Sequence, residues 1–501
     1  MKKPKDRNTA RNSDGSLRRR QAARGDNRPA REDMPPAREG NRPARGEKPP
    51  ARREKPPARG DRQAARGDRQ AAREYPPVIA LDVGTTKIAC LHGELDGGGN
   101  LIAVTGIASV PARGMHKGVV VDMAEATESI RAAAEAAAAA AAEDEQDETV
   151  AAAGVFVGVA GSHVVSMNRR VSITNPNPDH RITRAERQAL LRKLKEVDVS
   201  PDLKLIHALP REYMLDGQDG IKRPVGMYAT NIEMEGHLVF GAVNSVQNLV
   251  GAVEHGGLRV DDIILEPLAS SRACLSEQDM RSGTLLVDIG GGTTDIALFV
   301  SGRLAHSAVL PVGGNHITRD ISVGLKVPLA AAEKIKLEFG HAQSHLVEDI
   351  EMARVMVEEP GDTGERPVTF SRKFLARIIE ARVAEIFSLV LQQAKDSGYL
   401  SSVASGIVVT GGSSQLEGIC GLAELVTEFP CRIGYPAVAG SIVDIPSNPV
   451  YATAVGLLLF GSERVFARGP SQPPEPSTST LGLWEEVMAK VKGWFGLRNK
   501  T

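Results

Sequence analysis

LLVDIGGGTTDIALF, residues 285–299, is the stretch on which the fold turns. An apolar strand ends in Asp288, passes Gly290, Gly291 and Gly292, then Thr293, Thr294 and Asp295, and leaves as a second apolar strand. Glycines without a Cβ let the backbone turn tightly and let a ligand come close. Backbone N–H groups and the two threonine hydroxyls can then surround phosphate oxygens. Asp288, at the strand end, is placed to hold a hydrated Mg²⁺ beside them. An ordinary glycine-rich hairpin carries the same residues, so the stretch by itself leaves both readings open.

A second copy of the pattern separates them. VIALDVGTTKIACL, residues 78–91, repeats the plan with Asp82, Gly84, Thr85, Thr86 and Lys87 between two apolar strands. Aligning Asp82 with Asp288 brings Thr85 and Thr86 onto Thr293 and Thr294 after a two-residue gap. A repeat at this separation predicts two similar halves facing each other, with their hairpins clamping one polyphosphate. Asp82 and Asp288 are the expected metal-side carboxylates.

The 501 residues, 42% of them hydrophobic, suffice for at least two domains with their own cores. Charge is unevenly spread. Residues 1–74 carry 23 Lys/Arg and 11 Asp/Glu, a net of +12, against −13 for the remainder and −1 overall. This Arg-, Pro- and Ala-rich segment (1–76) has too little apolar content to offset the entropy of ordering, and it is expected to be disordered. It lacks interleaved aromatic residues for base stacking, so no specific nucleic-acid partner is expected; a spacer or an anionic-surface tether fits better. Cys90, Cys274, Cys420 and Cys431 have no C-x-x-C spacing and read as small apolar residues in a reducing compartment. With no signal-peptide h-region and no apolar run long enough to span a bilayer, a cytosolic chain with peripheral membrane contact is expected.

The remaining boundaries follow from pattern. The first half is expected over 77–166, with a helix at 124–142, and resumes over 247–283. An inserted α/β subdomain is expected over 167–246, where TRAE (183–186) is a capping box opening a basic helix. The second half is expected over 284–449 with a mostly helical insertion at about 306–400, followed by a return to the first half over 450–461. RGPSQPPEPSTST (468–480) is a Pro/Ser linker, assigned to 462–480. In LGLWEEVMAKVKGWFGLRNK, Trp484, Val487, Met488, Val491, Trp494 and Phe495 recur at helical spacing as one apolar stripe, with basic residues off it. That describes either an in-plane membrane helix over 481–501 or a helix docking on its own domain; the preceding linker favours an anionic membrane surface.

The two hairpins resemble the phosphate loops of the actin-like ATPase superfamily. Within it the chain resembles the FtsA family of bacterial cell division proteins, through ARGMHKGVVVD (112–122), VGVAGSH (157–163), ALPREYMLDGQDGIKRPVGM (208–227), VDDIILEPLAS (260–270), VLPVGGNHITRDISVGL (309–325) and VVTGGSSQLEG (408–418). The resemblance spans most of Val78 to Phe460; relatives begin near Val78, so the basic extension departs from the family pattern.

It implies an actin-like fold of two RNase H-like halves that binds ATP and Mg²⁺. It also implies self-association into filaments at the cytoplasmic face of the membrane at the septum. The implied partners are the C-terminal peptide of FtsZ and later division proteins. Gly411, Gly412 and Ser413 would form a third turn against the adenosine. Glu333 and Lys336, three apart on a helix, would either bond the ribose or adenine or form a surface ion pair. Glu266 would either orient the attacking water or merely end a strand before Pro267. Arg382 and Glu385 share a helix face, either as a solvated charge pair or as an FtsZ contact. Slow or negligible turnover is expected. A PilM-like scaffold of type IV pilus assembly is the competing reading; a chaperone ATPase would need a large substrate domain after the core, and no kinase substrate signature is present.

Overall fold

β1 (Val78–Val83) is buried at all six positions, as a strand covered on both faces must be. It turns back antiparallel into β2 (Lys87–Leu95), which pairs with β3 (Leu101–Pro111). The computed structural model, which describes residues 75–141, 154–358, 365–437 and 447–469, continues through a small hairpin. Its strands β4 (Met115–His116) and β5 (Val119–Val120) lead into helix α1 (Met123–Ala141). β6 (Gly154–Val159), again wholly buried, lies parallel to β1.

The chain then leaves this sheet. β7 (Val164–Thr174), α2 (Arg184–Lys195), β8 (Leu203–Leu215), β9 (Gln218–Ile221) and β10 (Asn231–Ala242) form a separate four-stranded sheet, ordered β7-β10-β8-β9, with one helix. The capping box read from TRAE is present: the Thr183 hydroxyl accepts from Ala185 N at 3.1 Å, and Thr183 N donates to the Glu186 carboxylate at 2.7 Å. Leu190 and Leu194 of the helix pack on Ile232, Met234 and Phe240 of the sheet. α3 (Val243–His255) and β11 (Arg259–Leu265) return to the first sheet, which is ordered β11-β6-β1-β2-β3. α4 (Glu266–Cys274) and α5 (Glu277–Ser282) lead out of it.

β12 (Thr284–Ile289), β13 (Thr294–Val300) and β14 (Arg303–Leu310) run antiparallel to one another, as β1 to β3 do. α6 (Gly314–Leu325), α7 (Leu329–Phe339), the hairpin β15 (Met352–Glu358) and β16 (Glu365–Ser371), and α8 (Arg372–Asp396) follow. β17 (Ile407–Thr410) joins β12 in parallel, and after α9 (Ile419–Thr427) so does β18 (Cys431–Ile433) beside β17. The order β14-β13-β12-β17-β18 is strand for strand the plan of the first sheet. The repeated hairpin motif thus belongs to a repeated half.

Two expected boundaries move. His306 lies inside β14, paired with Leu298, so the helical insertion begins after Leu310; RLAHSAVL is only partly buried, as a sheet edge is. The returning segment is α10 (Ala452–Arg468), which runs past 461 because Ser462 and Val465 stay buried and Arg468 bonds Asp261 at 3.0 Å. Pro449–Arg468 is long and apolar enough to cross a bilayer by composition, but 56% of its apolar window is buried. Its Leu457 and Leu458 share a core with Val78 and Phe156 of the first half and Leu286 and Val408 of the second, which makes it the core helix of the seam. Gly456 permits this: a Cβ there would lie 1.9 Å from the Ala269 carbonyl oxygen.

The inserted layer is tied to the second half by polar contacts on β14. Ser166 Oγ donates to the Ser307 carbonyl at 2.7 Å and Asn168 Nδ2 to the Ala305 carbonyl at 2.9 Å. His237 Nδ1 donates to Asn168 Oδ1 (2.7 Å), which leaves Nε2 to accept from the Ser307 hydroxyl (2.9 Å). Arg211 bonds Glu235 at 2.8 Å and Tyr399 at 2.7 Å. Residues 1–74 and 481–501, with the six tail positions from Trp484 to Phe495, lie outside the described residues.

Candidate functional site

The two glycine hairpins meet across the seam. Each closes with the same bond, Gly84 N to Lys87 O and Gly290 N to Thr293 O, both 3.0 Å. A Cβ on Gly292 would lie 2.5 Å from Thr85 Oγ1, so this glycine makes room for the opposite loop itself. The loops line one cavity of about 1070 Å³, large for a small-molecule site and ample for a nucleotide. Asp82, Gly84, Thr85, Thr86, Lys87, Glu266, Asp288, Gly290, Gly291, Gly292, Thr293, Asp295, Glu333, Lys336, Gly411, Gly412 and Ser413 all border it.

Thr294 is the exception. As the first residue of β13 it alternates away from the loop, is fully buried, and donates to the Val312 carbonyl at 2.8 Å. Its hydroxyl is committed to the strand and does not face the cavity.

Four carboxylates converge under the loops, with Lys87 as counter-charge. Lys87 Nζ pairs with Asp82 at 3.1 Å. Asp288 accepts from Ser270 Oγ at 2.6 Å and from Thr453 Oγ1 at 3.2 Å, and those hydroxyls are 2.9 Å apart. Burial raises the Asp288 carboxyl above its usual range, and these bonds pull it back. Glu266 is pushed well above the carboxylate range by burial first, then by Asp82, Asp295 and Asp288. Asp295 is raised in the same way, by burial and then by Asp288. Its Oδ1 is buried without a hydrogen-bond partner, and its Oδ2 accepts from Thr293 at 3.2 Å. Such a cluster is stabilised by a cation, and the orphaned oxygen fits one. No group of three His/Cys/Asp/Glu among the described residues forms a metal cage, so Mg²⁺ would have to draw on water and phosphate for most of its shell.

The far wall comes from the second half. Lys336 Nζ bonds Glu333 at 2.7 Å, Thr318 Oγ1 at 2.9 Å and the Gly314 carbonyl at 3.3 Å. Glu333 and Lys336 are therefore an ion pair that also borders the cavity. Gly411, at φ +84°, lets the backbone pass Asp288, whose Oδ1 would lie 2.3 Å from a Cβ there. Ser413 Oγ donates to the Gly290 carbonyl at 3.3 Å. Gly314 N and Asn315 N, at the start of α6, donate to the carbonyls of Gly290 (2.9 Å) and Gly291 (2.8 Å), bracing the loop from behind. Ser270, Thr453 and this helix start were not singled out in the sequence. The doublet Gly313-Gly314 before a helical stretch was the available signal for the last.

Arg382 and Glu385 lie away from the cavity. Arg382 makes two bonds to Asp320 of α6, at 2.6 and 3.1 Å, and a third to Glu385, so it ties α8 to α6.

Comparison with known proteins follows the same outline. A family model described as "Cell division protein FtsA" matches residues 285–456, and one described as "SHS2 domain inserted in FTSA" matches 161–240. The chain is 38% identical to the cell division protein FtsA of Pseudomonas aeruginosa, over 77% of this chain and 89% of that one. It is 33% identical to FtsA of Escherichia coli K12, over 83% and 97%. Among solved structures, the PilM-PilN type IV pilus biogenesis complex matches with a TM-score of 0.53 at 16% identity, over 77% of this chain and 98% of that one. That likeness shows a shared actin-like fold.

Proposed function

Since the chain belongs to the FtsA family of cell division proteins, we propose that it binds ATP with Mg²⁺ between its halves, polymerises on the membrane and anchors FtsZ there. The observation that carries the nucleotide reading is the pair of hairpins facing one cavity over a carboxylate cluster. In this reading Gly84, Thr85, Thr86, Gly290, Gly291, Gly292 and Thr293 cradle the phosphates, and Lys87 neutralises them. Asp82 and Asp288 hold the hydrated Mg²⁺, which supplies charge neutralisation at the phosphates. Gly411, Gly412 and Ser413 border the adenosine, with Glu333 and Lys336 on the ribose side.

Glu266 points into the cavity from the start of α4 and orients a water as a hydrogen-bond acceptor. Burial, with Asp82, Asp295 and Asp288 beside it, raises this carboxyl and disfavours the charged acceptor form, which weakens that role and supports slow or negligible turnover. ATP then acts as a conformational ligand for the closed, polymerising form. The inserted layer at 167–246 serves contacts with later division proteins and neighbouring copies, and the face carrying Arg382 and Glu385 receives the FtsZ C-terminal peptide. The segment 481–501, with its stripe from Trp484 to Phe495, binds an anionic membrane surface at the cytoplasmic side of the septum.

The test is co-sedimentation with anionic liposomes, with and without the FtsZ C-terminal peptide. The full chain is expected to sediment and to carry the peptide with it. Deletion of 481–501 is expected to abolish sedimentation and leave ATP binding intact; unchanged sedimentation removes the membrane assignment.

A further inference from the structure

The stretch ARGMHKGVVVD touches both the first hairpin and the hinge of the inserted layer. β4 and β5 are joined by Lys117 and Gly118 alone, with φ of +48° and +76°. Positive φ at both central residues is the signature of a tight two-residue hairpin turn, and Lys117 adopts it without a glycine's freedom. Gly118 N donates to Thr85 Oγ1 at 3.1 Å, and Ala112 N donates to the Thr86 carbonyl at 3.0 Å. The stretch is thereby bonded to the first phosphate loop at two points.

On its other side the same turn presses on the chain entering the inserted layer. A Cβ on Gly118 would lie 2.8 Å from the Ala160 carbonyl oxygen and 2.9 Å from Gly161 Cα. Gly161 itself sits at φ +125°, immediately before β7. Ala242 N, at the exit from β10, donates to the His163 carbonyl at 3.2 Å, so both crossings of the chain meet here. The His163 ring is packed between them with neither nitrogen hydrogen-bonded. His163 is half-buried as a residue, but leaving both ring nitrogens buried and unpartnered is costly, and it marks this hinge as a place where a second arrangement can compete.

We propose that the Lys117–Gly118 turn is a positioning element that reads the occupancy of the first phosphate loop and sets the hinge of the inserted layer at Ala160–His163. This rests on the nucleotide reading above. Thr85 has one hydroxyl proton. Because its oxygen already accepts from Gly118, that proton is free to donate to a phosphate oxygen. Phosphate fixes the hydroxyl rotor and strengthens the bond behind it, as hydrogen bonds in series do. The turn then holds Ala160 and Gly161, and the inserted layer takes one orientation. Without phosphate the rotor is free, the hold on Ala160 and Gly161 weakens, and the hinge opens more readily.

The experiment is amide hydrogen exchange of the full chain with and without ATP·Mg²⁺, read on peptides covering 158–166 and 240–246. Nucleotide is expected to slow exchange severalfold in both. Gly118→Ala, which forces the turn off Ala160, is expected to lose this hinge protection and, because the coupling is reciprocal, to weaken ATP binding severalfold. Lys117→Asn, whose side chain tolerates a left-handed turn position, is expected to keep it, since the turn geometry and not the ammonium carries the signal. A wild-type chain that binds ATP with no change at the hinge overturns the proposal, as does a Gly118→Ala chain with wild-type protection. If Gly118→Ala does not fold, the wild-type and Lys117→Asn responses decide. A wild-type chain that binds no ATP overturns the nucleotide reading first, which titration shows separately.

Discussion

Gly291 and Thr86, on opposite hairpins, approach so closely that a Cβ on the glycine would sit 2.3 Å from the threonine Cγ2. The seam is thus shaped by each loop fitting the other as much as by room left for a ligand. Gly291→Ala is expected to force the loops apart and weaken ATP binding about tenfold, or about 1.4 kcal/mol, measured by titration calorimetry. In Gly290→Ala the added Cβ meets only Thr293, whose carbonyl oxygen is at 3.4 Å, so any loss there reports on the approach of the phosphates and not on the fit of the two loops. Thr86→Ser, which removes the obstructing methyl, should recover part of the loss in the Gly291→Ala background.

Asp295 illustrates a cost accepted for function. Its carboxyl is held well above its unfolded value by burial and by Asp288, so folding at neutral pH requires either proton uptake or a buried like-charge contact. Asp295→Asn is expected to raise the melting temperature of the nucleotide-free protein at pH 7. The gain should shrink as pH falls below the unfolded carboxylate range, where the wild type is protonated in both states. Mg²⁺-dependent ATP affinity should fall in the same variant. A pH-independent gain would contradict the charge explanation.

The inserted layer should loosen in mild acid. Burial lowers His237 to about 3 and His207 to about 4, well under the unfolded value of 6.5. Stability from keeping these rings neutral is therefore present above pH 6.5 and is lost as pH falls towards 4. At pH 5 the unfolded state gains about 2 kcal/mol for each ring. Urea melts at pH 7 and pH 5 should show this loss, and His237→Gln should remove its share. A stability independent of pH across this range would contradict it.

Much of this was legible in the chain because it is local. Asp, Gly and Thr in close succession between apolar strands specify a hairpin without help from elsewhere, and TRAE specifies its own helix start. The repeat then placed the two hairpins in equivalent halves. Thr294 was misread because one residue of strand register separates a hydroxyl facing the cavity from one facing Val312. Ser270 and Thr453 were invisible for a different reason: they are 183 positions apart, and only the return of α10 brings both onto Asp288. His306 sits in a short edge strand whose apolar and polar residues do not alternate, so its sequence carries no strand period.

The most direct measurement is calorimetric titration of the full chain with ATP in the presence of Mg²⁺, repeated for Asp82→Ala and Asp288→Ala. One nucleotide per chain is expected for the wild type, with binding lost or reduced at least tenfold, about 1.4 kcal/mol, in either variant. A wild-type chain that takes up no ATP, or variants that bind it as tightly as the parent, would contradict a triphosphate gripped between the two hairpins.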